Sequence, residues 1–100
     1  MGLVISHSAP ASRSWLTVTN LGQHLANSLP ARDWRKIRHL FGGGLDDITE
    51  IPHRQAGQYA EILRRAAADK HMPTDWGDLA GIFATAAQRA ADAREPWVWS

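Results

Sequence analysis

Cysteine is absent from this sequence of 100 residues. Its absence excludes disulfide bonds, thiolate nucleophiles and cysteine-ligated zinc. Long apolar runs are also lacking, since none approaches the roughly 20 residues that a membrane-spanning helix needs. The first residues do not form a charged segment followed by a long apolar one, as a secretory signal would. We therefore predict a cytoplasmic protein that does not interact with membranes.

An excess of one charge sign is lacking as well. Eleven basic and ten acidic residues leave a formal net charge of +1. Nucleic-acid-binding domains usually carry a clear basic excess, so the overall charge alone does not predict such a partner. Where the charges lie along the chain is therefore more informative than their sum.

Motifs for metal, phosphate and cofactor binding are missing. The five histidines (His7, His24, His39, His53 and His71) are 14 to 18 residues apart, so no pair has the i,i+4 spacing of a helical metal site. Asp46, Asp47 and Glu50 are clustered but do not fit a calcium loop. The glycines at 42–44 follow a predicted helix, whereas phosphate-binding loops precede one, and Gly42 fits a helix cap better. We predict no metal and no cofactor.

Nucleophilic catalysis is not indicated either. Ser6 and His7 are adjacent, and in a regular strand neighbouring side chains point to opposite faces. They could then not form a nucleophile and base pair. No G-x-S-x-G motif occurs. The sequence thus assigns no catalytic residue, and an enzyme would need a site dispersed along the chain.

Apolar periodicity predicts four helices. Val18, Leu21, Leu25 and Leu29 mark the first, from about Thr19, with Thr19 or Asn20 as its cap. Pro30 ends that helix and opens a second, which runs to about Phe41. A third follows Pro52, with exposed Glu61–Arg65 and Arg65–Asp69 pairs. The fourth follows Pro73, with Thr74 or Asp75 as its cap, and ends before Pro96, and its many alanines indicate close contact with a neighbouring helix.

Both chain ends favour strands. Leu3 and Ile5 alternate with Val4, and Trp97 and Trp99 alternate with Val98. We expect these end segments to pair, with a strand at 47–51 as a possible third. The prediction is one compact α+β domain over residues 1–100, in the order β-α-α-β-α-α-β, with four helices on one face of a small sheet of two or three strands.

The second helix carries the most distinctive charge pattern. Four of the eleven basic residues lie within seven positions there, and a histidine follows: Arg32, Arg35, Lys36, Arg38 and His39. Most of them fall opposite the apolar stripe of Trp34, Ile37 and Phe41. They form either a solvated helix face or a binding surface for an acidic protein or for phosphate.

The sequence contains five tryptophans, each of which can lie in the core or on the surface. Trp34 and Trp76 lie on apolar stripes and are expected in the core. Trp15, Trp97 and Trp99 are candidate exposed aromatics, although the terminal pair also suits the core. Exposed tryptophan beside arginine is typical of protein-binding hot spots.

Three segments of the sequence carry a resemblance to known proteins: LGQHLANSLP with the following DW, then HMPTDWGDLA, and finally PWVWS. They resemble a group of small uncharacterised proteins of actinobacteria and their phages, a domain of unknown function. The resemblance covers most of the chain. It implies an accessory or mobile-element role and assigns no task to any residue.

These observations favour a non-catalytic binding or regulatory protein whose partner is another protein. Residues 32–39 are the first surface to test. Nucleic-acid binding through the same helix and a small enzyme with a dispersed site are the alternatives.

Overall fold

A computed structural model describes residues 2–8, 12–41 and 48–100. The described elements are, in chain order, β1 (Gly2–Val4), β2 (Ser12–Ser14), α1 (Trp15–Ser28), α2 (Ala31–Phe41), β3 (Thr49–Ile51), α3 (His53–Ala68), α4 (Thr74–Asp92) and β4 (Trp97–Trp99). This order confirms the predicted α+β arrangement and adds one strand, β2, in a segment expected to be a loop.

The strands form two antiparallel pairs, β1 with β2 and β3 with β4. A bridge between Ile5 and Trp99 joins the two pairs. Beside it, Val4 and Ser100 exchange backbone hydrogen bonds of 2.7 and 2.9 Å, and the Ser6 amide donates to the Val98 carbonyl at 2.8 Å. The predicted pairing of the end segments is thereby confirmed, and so is the third strand.

The sheet turns its apolar residues inward, as the alternation predicted. Leu3, Ile5, Trp97 and Trp99 are fully buried, whereas Val4 lies on the outer face and is 48% exposed. The Trp99 ring meets Phe41 of α2 and Phe83 of α4 edge to face, at centroid distances of 5.4 and 5.6 Å. Edge-to-face contacts of this kind add to the stabilisation that burial provides. The helices thus pack on the inner face of the sheet around one aromatic cluster.

Helices α3 and α4 pack against each other over most of their lengths, and small residues allow it. Ala84, Ala87 and Ala90 of α4 are fully buried. A β-carbon on Gly57 of α3 would lie 3.5 Å from Cβ of Ala91. The alanine-rich sequence of α4 therefore produces the close helix contact that it predicted. None of the helices in the described part of the chain is long and apolar enough to cross a membrane.

Helix starts differ from the prediction in two places. Helix α1 begins at Trp15, four residues before Thr19, because the Ser14 side chain caps it by accepting a hydrogen bond from the Thr17 amide at 3.3 Å. Helix α4 begins at Thr74, but neither Thr74 nor Asp75 caps it, and Pro73 stands at the cap position without a side-chain hydrogen bond. The predicted Gly42 cap and two residues of the acidic cluster, Asp46 and Asp47, lie outside the described residues.

Candidate functional site

The polar side of α2 is a continuous basic surface. Its members are all exposed, and we call them the basic face: Arg32, Arg35, Lys36, Arg38 and His39. On the opposite side of the helix, Ile37, Leu40 and Phe41 are buried. Trp34, expected in the core, is only half-buried and packs against the core from its edge. Burial of the apolar stripe fixes the orientation of α2 and so turns the five basic side chains to solvent.

Beneath the basic face lies a buried carboxylate that sequence reasoning missed. Asp33 is 3% exposed. Its oxygens lie 3.8 Å from Nε of Arg32 and 3.5 Å from Nη1 of Arg65 on α3. The i, i+4, i+7 spacing of Asp33, Ile37 and Leu40 could have placed it on the inner side. As the third residue of α2, it also suits the positive end of the helix dipole.

Arg65 consequently takes a different partner from the predicted ones. Among the described residues, neither Glu61 nor Asp69 lies within ion-pair distance of it, so the two expected pairs within α3 are wrong. The long-range partner Asp33 is buried, and a buried carboxylate attracts a cation more strongly than a solvated one does. Arg65 thus extends the basic surface from α2 onto α3.

Three cations of the basic face have no partner in the described part of the chain. Arg35, Lys36 and Arg38 make no ion pair within 4 Å and no side-chain hydrogen bond with the residues that the structure describes. His39 contacts the ring of Tyr59 on α3 edge to face, at a centroid distance of 6.2 Å. Burial raises the pKa of the Tyr59 hydroxyl. The uncompensated charge of the basic face is therefore concentrated in the middle of α2.

The terminal tryptophans are core residues. Trp97 and Trp99 are both fully buried, so the candidate exposure of this pair is wrong. Helices cover the inner face of the sheet, and both rings lie on that face. Trp97 also donates from Nε1 to the Ser6 carbonyl oxygen at 3.1 Å. Trp15 is half-buried, and Trp76 is half-buried with its ring stacked on His24 at 4.9 Å. The described aromatics thus form no exposed pair beside the basic face.

Ser6 and His7 meet, because the regular strand on which the opposite expectation depended does not continue to His7. The Ser6 hydroxyl lies 2.9 Å from Nδ1 of His7. The strand does not stay regular there, because His7 has a φ of 63°, in the left-handed region. On its other side, Nε2 of His7 lies 3.3 Å from the Glu95 carboxylate. A serine, a histidine and a carboxylate therefore stand in one chain of hydrogen bonds.

The hydrogen bonds of the Ser6 hydroxyl stabilise the sheet. Oγ of Ser6 accepts the Val98 amide at 2.8 Å and, with the imidazole proton on Nε2, donates to His7. Its hydroxyl is thereby engaged twice within the fold. His7 lines a cleft, but Ser6 does not. This chain of hydrogen bonds fastens β4 to the segment after β1.

Two clefts flank the outer side of α4. The larger, of about 710 Å³, extends from His7 and Ser8 over Gly81 to the turn before α4 at Met72. The smaller, of about 330 Å³, lies between α4 and the start of α1. Asp78 and Ile82 line both, so the clefts adjoin. No group of three or more possible metal ligands occurs among the described residues.

A family model places the chain among known sequences. Residues 7–100 match the model of a domain of unknown function, DUF7739. Neither a curated protein nor a solved structure is significantly similar to the chain. The match includes α1 to α4, β2 to β4 and every residue of the basic face. The chain therefore belongs to the DUF7739 family of domains of unknown function.

Proposed function

We propose that this protein is a non-catalytic binding protein that docks a partner protein through the basic face of α2. One observation carries the proposal: Arg35, Lys36 and Arg38 are exposed, make no ion pair with any residue that the structure describes, and stand on a helix whose other side is anchored in the core. Such a surface attracts an acidic partner and also orients it, because the charges are held on a packed element.

The charge distribution favours an acidic protein surface over nucleic acid. The chain as a whole carries only +1, and Glu61 of α3 stands exposed near Arg65 in a shallow cleft beside the basic face. Arg64 and Arg65 line the same cleft as Glu61, so both charge signs occur there, which suits a protein partner of mixed charge. Nucleic-acid binding through α2, which follows α1 after only Leu29 and Pro30, is the competing function.

The biological setting is part of the proposal. The sequence resemblance described above supports an accessory role in the cytoplasm of an actinobacterium or of a cell that carries one of its phages. The engaged hydroxyl of Ser6 argues against an enzyme that uses this serine.

The test compares two double charge reversals in capture from host lysate, with and without nuclease. Arg35→Glu with Lys36→Glu changes the basic face. Lys70→Glu with Arg94→Glu makes the same change in net charge at exposed cations outside α2. We expect a stoichiometric protein partner that survives nuclease treatment, is retained by the control pair and is lost from the α2 pair. Equal melting temperatures of the two variants would show that the loss is not caused by unfolding.

Two results would overturn the proposal. If the α2 variant captured the same partner as the control, α2 would be merely a solvated face. If nuclease abolished capture, the partner would be nucleic acid. In that case the affinity should also fall steeply with salt, by roughly a thousandfold or more between 50 and 200 mM for six or more phosphate contacts.

A further inference from the structure

The outer side of α4 presents a continuous face along the larger cleft. Six residues that line this cleft repeat at three- and four-residue spacing, as residues on one side of a helix do, and we call them the α4 face: Thr74, Asp78, Gly81, Ile82, Thr85 and Arg89. Its four polar members are exposed, and the other two are half-buried. The α4 face is therefore a helix surface that a partner can reach.

The middle of the α4 face has a ridge beside a hollow. Asp78 and Ile82 line both clefts, so they form the ridge that separates them. Next to this ridge, a β-carbon on Gly81 would meet no atom within 4 Å. Helices pack by placing the side-chain ridge of one in the groove of another. A second α4 face offers both halves of such a fit, since its Ile82 can enter the hollow at Gly81.

Opposite charges stand at the two ends of the α4 face. Asp78 and Arg89 are eleven residues apart, which places them on the same side of the helix and roughly 16 Å apart along its axis. Neither makes an ion pair with any residue that the structure describes. In a second copy related by a two-fold axis between Ile82 and Thr85, the helix runs antiparallel, and its Arg89 lies beside Asp78 of the first copy. The same contact recurs at the other end, whereas a parallel arrangement would oppose like charges.

Two acidic groups near Arg89 are engaged within the domain. Asp92 accepts a hydrogen bond from Gln88 at 2.8 Å, and Gln88 accepts one from an arginine of α3 at 3.0 Å. The Glu95 carboxylate lies 3.3 Å from Nε2 of His7. The positive charge of Arg89 is thus left for a carboxylate outside the domain, and Asp78 of a second copy supplies one.

We propose that this protein forms a symmetric, antiparallel dimer through the α4 face. Ile82 of each copy packs beside Gly81 and Thr85 of the other, and Asp78 pairs with Arg89 across the two-fold axis. The surface is small and its charges are solvated, so the dimer belongs to the weak and transient class of interfaces. None of the basic-face residues lines either cleft, and the inference is therefore independent of the function proposed for that face.

Sedimentation equilibrium of the intact protein measures the dimer directly. We expect reversible self-association with a Kd of roughly 10–300 µM, as suits a small interface. A protein that stays monomeric up to about 1 mM would overturn the proposal, and the α4 face would then be a solvated surface or the site of a different partner.

Charge reversals at the two ends of the α4 face identify the interface. Asp78→Arg opposes two arginines and Arg89→Asp opposes two aspartates, and the symmetry introduces each repulsion twice. Each variant alone should therefore dimerise at least tenfold more weakly than the native protein. A one-to-one mixture of the two variants restores both pairs of opposite charge, so it should form a heterodimer about as tightly as the native protein dimerises.

Reversals at exposed positions of α3, Glu61→Arg and Arg54→Asp, make the same changes in net charge outside the α4 face. They are the controls and should leave the Kd unchanged. If the Asp78 and Arg89 variants behaved like these controls, or if their mixture did not associate, the pairing across the two-fold axis would be refuted.

Filling the hollow tests the packing at the centre. Gly81→Gln adds a neutral side chain where the domain leaves space, so the variant should fold, with an unchanged circular dichroism spectrum, and should no longer dimerise. Ala26→Gln, at an exposed position of α1 that lines neither cleft, is the matched control and should dimerise normally. A Gly81→Gln variant that dimerised as tightly as the native protein would show that the copies associate through another surface.

Discussion

Gly22 of α1 and Phe41 of α2 approach so closely that a β-carbon built on Gly22 would lie 2.6 Å from Cβ of Phe41. A contact this short cannot be relieved by rotating the phenylalanine ring, because the Phe41 β-carbon is fixed to the backbone. Glycine at position 22 therefore sets the distance between the two helices, and it brings Phe41 against Trp99.

Gly22→Ala should destabilise the domain. Overpacking of this kind costs about 1–3 kcal/mol, of which the better helix propensity of alanine returns up to about 1 kcal/mol. We expect a net loss of about 1–2 kcal/mol in the free energy of unfolding, measured by urea denaturation. A denaturation midpoint at or above that of the native protein would contradict the tight contact.

Gly81→Ala should have the opposite effect. A β-carbon on Gly81 meets no atom within 4 Å, because this glycine borders the larger cleft. Alanine in a helix interior is favoured over glycine by about 0.5–1 kcal/mol. We expect a gain of that size in the same urea experiment, which makes Gly81→Ala the matched control for Gly22→Ala. A loss of stability would show that the cleft is filled in the folded protein.

Arg94→Gly should also be stabilising. Arg94 follows α4 with a φ of 56°, and the Glu95 amide donates to the Ala90 carbonyl at 2.9 Å, as in a Schellman helix end. The left-handed conformation costs a residue with a side chain about 1–2 kcal/mol, a cost that glycine avoids. We expect thermal unfolding to shift upward for Arg94→Gly but not for Arg94→Ala. Equal shifts would mean that the arginine side chain, and not its backbone, is unfavourable.

The two terminal tryptophans should respond differently to phenylalanine. Trp97→Phe removes the indole N–H that donates to the Ser6 carbonyl oxygen. This loss lowers the free energy of unfolding by about 1–3 kcal/mol, in addition to the effect of the smaller ring. Nε1 of Trp99 is buried and has no hydrogen-bond partner among the described residues, so Trp99→Phe removes an unsatisfied donor, which offsets part of the destabilisation by the smaller ring. Chemical denaturation of the two variants should therefore show the greater loss for Trp97→Phe. The reverse order would contradict the hydrogen-bond assignment.

Tyr59 should ionise above the usual pH. It is the only tyrosine, so the absorbance of tyrosinate reports its pKa directly. Burial favours the neutral hydroxyl, and the pKa in the folded state is raised above 10.0. Between the unfolded and folded pKa values the unfolded state binds fewer protons, so the free energy of unfolding falls as pH rises past about 10. Tyr59→Phe should lack this contribution, and a tyrosinate midpoint at or below 10 in the folded protein would contradict the burial.

The sequence predicted those parts of the fold whose signals are local. The apolar spacing of α2 and the prolines at 30, 52 and 96 set the helix order correctly, and the alternation at the two chain ends identified their strands. Strand β2 was missed because its residues, Ser-Arg-Ser, have no apolar alternation. It forms because β1 offers an edge for pairing, and such a partner is not visible in a three-residue window.

The candidate site, like the fold, was predicted from the sequence only where the signal is local. Exposure of the basic face follows from helix periodicity, and all five residues were identified from the sequence. The ion pair beside it was not predicted, because Asp33 and Arg65 lie on different helices and are 32 positions apart in the chain. Likewise, the Ser6–His7 hydrogen bond depends on one left-handed backbone angle.

The exchange of hydrogen bonds between Val4 and Ser100 has a mechanical consequence. These residues pair in antiparallel segments, so Leu3 and Ser100 lie at the same end of the ladder that joins the two chain ends. A force that pulls these two points apart loads the backbone hydrogen bonds one after another, as in opening a zipper, instead of shearing all of them together. The domain should therefore yield to low pulling forces in an optical trap despite its buried tryptophans, and unravelling should begin at the Val4–Ser100 pair.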